Sequence, residues 1–161
     1  MIRIKRATIE NIPAITDIYN EAIRNSVATF DTQEKSYEMQ KKWFLDHDRL
    51  PIFVAKKEGM VLGWASLSTW SDRCAYSGTA EISTYIERQY RNAGIGTKLK
   101  MAIIEEGAKA GVQVIISRVA GDNEESIALN KKLGFKFIGT MHKVGMKFGQ
   151  FHDVHLFEYI Y

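Results

Sequence analysis

Cysteine is all but missing from this chain. Cys74 stands alone, so no internal disulfide can form, which fits a reducing compartment. It sits in a loop with no adjacent histidine to activate it, which argues against Cys74 as a catalytic nucleophile. Long apolar runs are missing too: none approaches the roughly 18 residues of a membrane span. So is an excess of charge. The 22 Lys and Arg against 19 Asp and Glu leave a formal +3, scattered along the chain, too little to imply nucleic acid. No His/Cys pair has metal-ligand spacing, so no metal is expected. Repeats, linkers and low-complexity segments are absent. The start, Met1-Ile-Arg-Ile-Lys-Arg6, is charged at alternate residues and suits a first strand better than a signal peptide. These absences predict one cytoplasmic domain over residues 1–161, long enough to bury roughly two thirds of its unfolded surface.

What is present reads as alternating strands and helices. A short strand at residues 2–5 precedes a helix capped by Thr8 or Asn11, with Ile12, Ile15, Ile18, Tyr19, Ala22 and Ile23 on one stripe and Pro13 in the first turn. Residues 25–35 lack periodicity and form a loop. A second helix over about residues 36–48 turns Met39, Trp43 and Phe44 inward. Residues 52–55 and 60–70 form a hairpin about Glu58-Gly59. Residues 79–86 are the next strand, followed by a helix ending near Gly111, a strand at 112–119, a helix at 126–133 stopped by Gly134, and two long strands, 135–148 and 151–161, joined at Gly149-Gln150. Trp64, Trp70 and the aromatic residues of these last strands are expected in the core. The class is α/β, with a mixed sheet of about seven strands and about four helices on both faces.

The run Gln89-Tyr-Arg-Asn-Ala-Gly-Ile-Gly-Thr97 places Gly94 and Gly96 between a strand and a helix. Glycine lets successive backbone N–H groups converge on an anion, and a helix starting there adds its own free N–H groups and dipole. A Walker A loop would need Gly-Lys-Ser/Thr where Gly96-Thr97-Lys98 stands. A dinucleotide fingerprint would need a third glycine where Leu99 stands. Arg91-x-x-Gly-x-Gly96 is left as a pyrophosphate loop of another kind, although a plain strand-to-helix turn also favours glycine. In the helix after it, Leu99, Ile103 and Ile104 share one face and Lys98 and Lys100 the other.

This order of elements, with Arg91-x-x-Gly-x-Gly96 opening the third helix and Asn123 to Phe135 after the following strand, resembles the GNAT superfamily of acetyl-CoA-dependent N-acetyltransferases over essentially the whole chain. Within it the chain looks like the phosphinothricin and methionine sulfoximine or sulfone N-acetyltransferases. That likeness is carried by Ile18-Tyr-Asn-Glu-Ala22, Ala28-Thr-Phe-Asp31, Glu81-Ile-Ser-Thr-Tyr-Ile86, Ser126-Ile-Ala-Leu129, Lys132-Leu-Gly-Phe135 and Val144-Gly-Met-Lys-Phe-Gly-Gln-Phe-His-Asp153. The last block is the most specific, because the wider superfamily lacks it.

The resemblance implies a sheet splayed between its fourth and fifth strands, with acetyl-CoA as co-substrate lying in the gap. Its pyrophosphate would be held by Arg91, Asn92, Ala93, Gly94, Ile95, Gly96 and Thr97, and its pantetheine arm would lie beside Ile82, Ser83, Tyr85 and Ile86, with Asn123 in contact unless it serves only as a helix cap. Backbone amides of that strand would stabilise the oxyanion. An α-amine ionises near pH 8, so a base is needed. Glu81, inside an otherwise apolar strand where burial would raise its pKa, is the candidate; the alternative is a solvated carboxylate or one paired with Arg73. Many relatives place a tyrosine acid where Asn130 stands, and asparagine can hydrogen-bond the sulfur or coenzyme but not protonate it. Arg73 and Tyr76 could clamp a substrate carboxylate, the alternative being a solvated arginine, and Thr29, Phe30 and Asp31 could wall its side chain, the alternative being an ordinary capping stretch. His142 and His152, near the last hairpin turn with Lys147 and Asp153, read as structural. The resemblance also implies a homodimer built through that hairpin. The expected reaction is acetylation of a small amino-acid-like amine by direct attack. Alternatives are another amine (a polyamine, aminoglycoside or protein N-terminus) or a non-catalytic acyl-CoA-binding sensor.

Overall fold

A computed structural model describes residues 1–161. The elements are β1 (Arg3–Arg6), α1 (Ile12–Asn25), α2 (Tyr37–Leu45), β2 (Ile52–Lys57), β3 (Met60–Thr69), β4 (Thr79–Ile86), α3 (Ile95–Lys109), β5 (Val114–Ala120), α4 (Glu124–Lys132), β6 (Lys136–Lys147) and β7 (Gln150–Ile160). The strands make one seven-stranded sheet in the order β1-β2-β3-β4-β5-β7-β6. Every neighbouring pair is antiparallel except β4 with β5. The α/β class and the count of strands and helices agree with the sequence.

Alternation along the strands sorts the core into two faces. Ala55, Ala65, Ala80, Ile82, Ile115 and Val119 point to one side, where Ile95, Leu99 and Ile103 of α3 pack on them and Ile127 of α4 joins. Val54 and Trp64 point to the other, under Ile12, Ile15 and Ile18 of α1 and Trp43 and Phe44 of α2. Each isoleucine fully removed from water contributes about 1.5–3 kcal/mol, so the α1 stripe is enough to fix that helix on the sheet. Ser36 caps α2, its side chain accepting the Met39 N–H at 3.1 Å. No helix is long and apolar enough to cross a membrane.

Three expectations about packing are corrected. Met39 faces solvent, 53 % exposed, because the nine-residue α2 turns only Trp43, Phe44 and the buried Gln40 inward. Lys100 is buried at 7 % exposure, since its side chain reaches towards α4 and donates to Asn130 Oδ1 at 2.8 Å. The aromatic residues of the last two strands divide: Phe157 is core, while Phe137, Phe148 and Phe151 are exposed with Val144 and Met146 on the β6–β7 hairpin.

Candidate active site

Between β4 and β5 the sheet opens. The two strands pair in parallel only from Thr79 with Val114 to Glu81 with Ile116. Beyond that point β4 continues along β3 and β5 along β7, so their inner edges present backbone groups without a strand partner. A cleft of about 1150 Å³ fills the gap and is lined from both faces of the sheet.

On the α1 face, Glu81 projects from β4 and Arg118 from β5. Parallel pairing of Glu81 with Ile116 puts Arg118 two residues further along and on the same side. The guanidinium holds the carboxylate with two bonds, Nη2 to Oε1 at 2.7 Å and Nε to Oε2, and lies 5.5 Å from the centre of the Trp70 ring. The Glu81 side chain is 19 % exposed and that of Arg118 52 %. Glu81 is therefore ion-paired, not surrounded by apolar groups, and its partner is Arg118 rather than Arg73.

The loop after α1 walls the same face. Tyr19 donates its hydroxyl proton to Asp31 and lies 3.0 Å from Thr29 Oγ1; burial, then Tyr85 and the Asp31 hydrogen bond, keep that hydroxyl protonated far above its ordinary range. Burial likewise pushes the Tyr85 hydroxyl up to about 12. Tyr85 donates to the Ala28 carbonyl at 3.4 Å. From β6, the buried Lys147 reaches under the loop and donates to the carbonyls of Ser26 and Thr29 at 2.6 and 2.7 Å. Asp153 receives the Lys143 N–H at 2.8 Å and lies 3.3 Å from His142 Nδ1, while His152 Nε2 lies 3.0 Å from the Lys147 carbonyl oxygen, so these groups brace the hairpin.

On the α3 face, the glycine loop leads into the helix. Asn92 and Gly94 take φ of 63° and 78°, and a Cβ at Gly94 would meet nothing within 4 Å, so backbone conformation and not crowding calls for glycine there. The Lys98 N–H donates to the Gly94 carbonyl at 3.2 Å, leaving the N–H groups of Ile95, Gly96 and Thr97 ahead of it free at the positive end of α3. Arg91 fixes the loop, its Nη2 3.0 Å from Glu21 on α1 and its Nε donating to the Ile86 carbonyl at 3.3 Å. This cradle, with the unpaired strand edges beside it, fits a pyrophosphate followed by an extended amide chain.

Most of the residues singled out in the sequence meet at this cleft. Glu81, Ile82, Ser83, Tyr85 and Ile86 line it from β4, Arg91, Asn92, Gly94, Ile95, Gly96 and Thr97 from the glycine loop, Thr29 and Phe30 from the first loop, and Asn123 from the start of α4. Asn123 also caps α4, accepting the Ser126 N–H at 3.2 Å. Ala93 lies in the loop without lining the cleft.

Asn130 is fully buried behind the wall, accepting from Lys100 and donating to Ser117 Oγ at 3.0 Å, so it does not reach the coenzyme site. Arg73 borders a separate small cavity with Ser71 and Asp72, and Tyr76 is exposed; the turn at Cys74–Tyr76 carries both away from the cleft within one chain.

Arg118 and Lys100 were missed. A lone arginine within Ile115-Ile-Ser-Arg-Val119, placed beside Glu81 by parallel pairing, was the available signal for the first; the second sits at a helical position that reads equally well as solvated.

The model of the acetyltransferase (GNAT) domain matches residues 4–156. The chain belongs to the GNAT acetyltransferase family. It is 34% identical over 154 residues to the L-methionine sulfoximine/L-methionine sulfone acetyltransferase of Pseudomonas aeruginosa, covering 94% of this chain and 90% of that protein. Among solved structures, a ribosomal-protein-alanine N-acetyltransferase from Brucella melitensis superposes with a TM-score of 0.96 at 33% identity, covering 99% of both chains. A GNAT superfamily phosphinothricin acetyltransferase from Sinorhizobium meliloti, in complex with acetyl-CoA, superposes with a TM-score of 0.94 at 30% identity over 99% of this chain and 88% of its own. The GNAT fold accounts for the splayed pair β4 and β5, and the chain is an N-acetyltransferase.

Proposed function

We propose that this GNAT enzyme transfers the acetyl group of acetyl-CoA to the α-amine of a small amino-acid-like substrate such as methionine sulfone, methionine sulfoximine or phosphinothricin. The observation that carries this reading is the Glu81–Arg118 pair at the mouth of the β4–β5 gap. An α-amino acid is itself a pair of opposite charges, and this pair complements it. Arg118 has five N–H donors, and Glu81 takes two, so a substrate carboxylate can accept others. The substrate ammonium then lies at Glu81.

Glu81 takes a proton from that ammonium, directly or through a water, and releases it to solvent; the free amine attacks, and its surplus proton leaves by the same route as the amide forms. Free N–H groups on the inner edge of β4 stabilise the oxygen that becomes negative; each such donor is worth about 3–4 kcal/mol. Acetyl-CoA supplies the activated acetyl group, and the first-turn N–H groups of α3 and the Thr97 hydroxyl hold its pyrophosphate. The names of the P. aeruginosa and S. meliloti relatives support the amino-acid class. The exposed Phe137, Val144, Met146, Phe148 and Phe151 on the β6–β7 hairpin support a homodimer formed through it. A cytoplasmic location goes with the free, exposed Cys74.

Thiol release from acetyl-CoA, followed with methionine sulfone, phosphinothricin, spermidine and an alanine-initiated peptide, tests the reading. Turnover with the first two, lost in Glu81→Gln while coenzyme binding is kept, is the expected result. A protein that binds acetyl-CoA and acetylates only the peptide or the polyamine overturns the substrate class; one that acetylates none of them overturns the enzymatic reading of Glu81.

A further inference from the structure

The cleft has one buried cationic side chain that the proposed chemistry leaves unused. Lys100 is 7 % exposed, lines the cleft, and has no carboxylate within ion-pair distance. Its one hydrogen-bond partner is Asn130 Oδ1, and Asn130 in turn donates to Ser117 Oγ, which also lines the cleft. A buried ammonium without a counter-ion is costly, and that cost is relieved by any anion that forms beside it.

Position decides which anion. Glu81 and Arg118 lie on the α1 face of the sheet, whereas Lys100 comes from α3 and Ser117 shares its side of β5 with Ile115 and Val119, on the opposite face. A thioester in the gap would therefore lie between Glu81, on the side that receives the amine, and the Lys100–Ser117 group on the other side. We propose that Lys100 is the proton donor to the coenzyme A thiolate, the role for which Asn130 has no proton. The proposal rests on the acetyl-CoA reading above.

As the carbon–sulfur bond breaks, its electron pair goes to sulfur and the carbonyl re-forms. One Nζ proton of Lys100 passes to that sulfur, leaving a neutral amine, which regains a proton from solvent through the cleft. Burial already lowers this ammonium to about 8, close to the ordinary range of a thiol, so the transfer is nearly balanced. Its hydrogen-bond partner Asn130 and the next group, Ser117, are uncharged. The other charged residues of the cleft are engaged elsewhere, Glu81 with Arg118, Arg91 with Glu21 and Asp31 with Tyr19, except Glu125 at the exposed start of α4.

Wild type, Lys100→Met and Lys100→Arg are compared by calorimetric titration with acetyl-CoA and with free coenzyme A, by the thiolate absorbance of bound coenzyme A, and by turnover. In wild type the bound thiol ionises about one pH unit or more below a free thiol. Lys100→Met loses that shift and about tenfold of its affinity for coenzyme A relative to acetyl-CoA, and kcat falls about 10²-fold. Lys100→Arg keeps the thiolate, because the cation remains, yet has the same low kcat, because a guanidinium gives up no proton near neutrality. Equal thiol ionisation in wild type and Lys100→Met overturns the proposal, as does wild-type turnover by Lys100→Arg, which also decides the matter should the methionine variant not fold. A wild type that binds neither coenzyme form overturns the underlying acetyl-CoA reading instead.

Discussion

The ring of Phe30 occupies the space in which a side chain on Gly145 would begin: a Cβ there would lie 2.2 Å from Cε2 and 2.6 Å from Cδ2 of the ring. The first loop is thus seated on the last hairpin, and the seat exists only because one residue of β6 has no side chain. Gly145→Ala must move either the ring or the strand, an overpacking cost of about 1–3 kcal/mol. At about 2–4 °C per kcal/mol for a chain of this size, Tm falls by several degrees. KM for the amine rises while the acetyl-CoA Kd stays put, which thermal melts and steady-state kinetics together will show.

Lys147 secures the same seat from below. Replacing it by methionine keeps the aliphatic stem but leaves the Ser26 and Thr29 carbonyls without their donor. Unsatisfied buried groups cost about 1–3 kcal/mol each, so denaturant melts register the loss, and substrate KM rises with it. Unchanged amine kinetics in a folded Lys147→Met would mean that the loop does not wall the substrate site.

Arg118→Gln removes the cation paired with Glu81 and leaves a neutral amide with two N–H donors in place of five. Hydrogen bonds to charged groups are worth about 1.5–3 kcal/mol, so kcat/KM for a zwitterionic substrate drops roughly 10- to 100-fold. The drop is smaller for the corresponding carboxamide. Comparing the two substrates separates carboxylate binding from a general loss of the site; equal losses would remove Arg118 from the binding role.

Gly94→Ala tests the phosphate cradle. Its Cβ meets nothing, so the penalty is the left-handed backbone alone, about 1–2 kcal/mol. A loop that relaxes from this conformation turns its N–H groups away, and the acetyl-CoA Kd weakens roughly 5- to 30-fold with little change in amine KM.

Stability should carry a pH signature from Lys100. Its ammonium is lowered from 10.5 to about 8 by burial, so between those values the unfolded chain holds more protons than the folded one, and stability rises with pH across that window. The whole effect is of order 3 kcal/mol. Subtracting the Lys100→Met curve isolates it, since that variant lacks the slope. Measurements from about pH 8 to 10 suffice; the raised tyrosines Tyr19, Tyr85 and Tyr161 begin to act in the opposite sense towards the top of that range, and the subtraction removes their contribution.

How far the sequence could be read depended on whether the deciding physics was local. Period and caps placed α1 and its buried stripe, and the strand over residues 79–86 agrees residue for residue with β4, because alternation and turn chemistry are written within a few positions of each other. The glycine loop was legible for the same reason. Arg118 was not, because its meaning depends on a parallel neighbour whose register no local pattern sets. Lys100 defeated the helical wheel: amphipathicity says which face is apolar, and the buried amide that receives this lysine comes from another helix. Arg73 erred the other way, since arginine in a loop after a strand has the right chemistry for a carboxylate, and only the path of that loop takes it to a different cavity.

The gap between β4 and β5 has a consequence for how this enzyme can change. If the amine and the coenzyme bind as proposed, they are served from opposite faces of one sheet, joined by few contacts such as Arg91 with Glu21, and the two halves of the site can drift largely separately. New substrates can be recruited by altering the loop after α1 and the hairpin that supports it, while the donor half is inherited intact. An inhibitor that joins both halves must instead thread the sheet, and it would be sensitive to the width of an opening set by backbone alone.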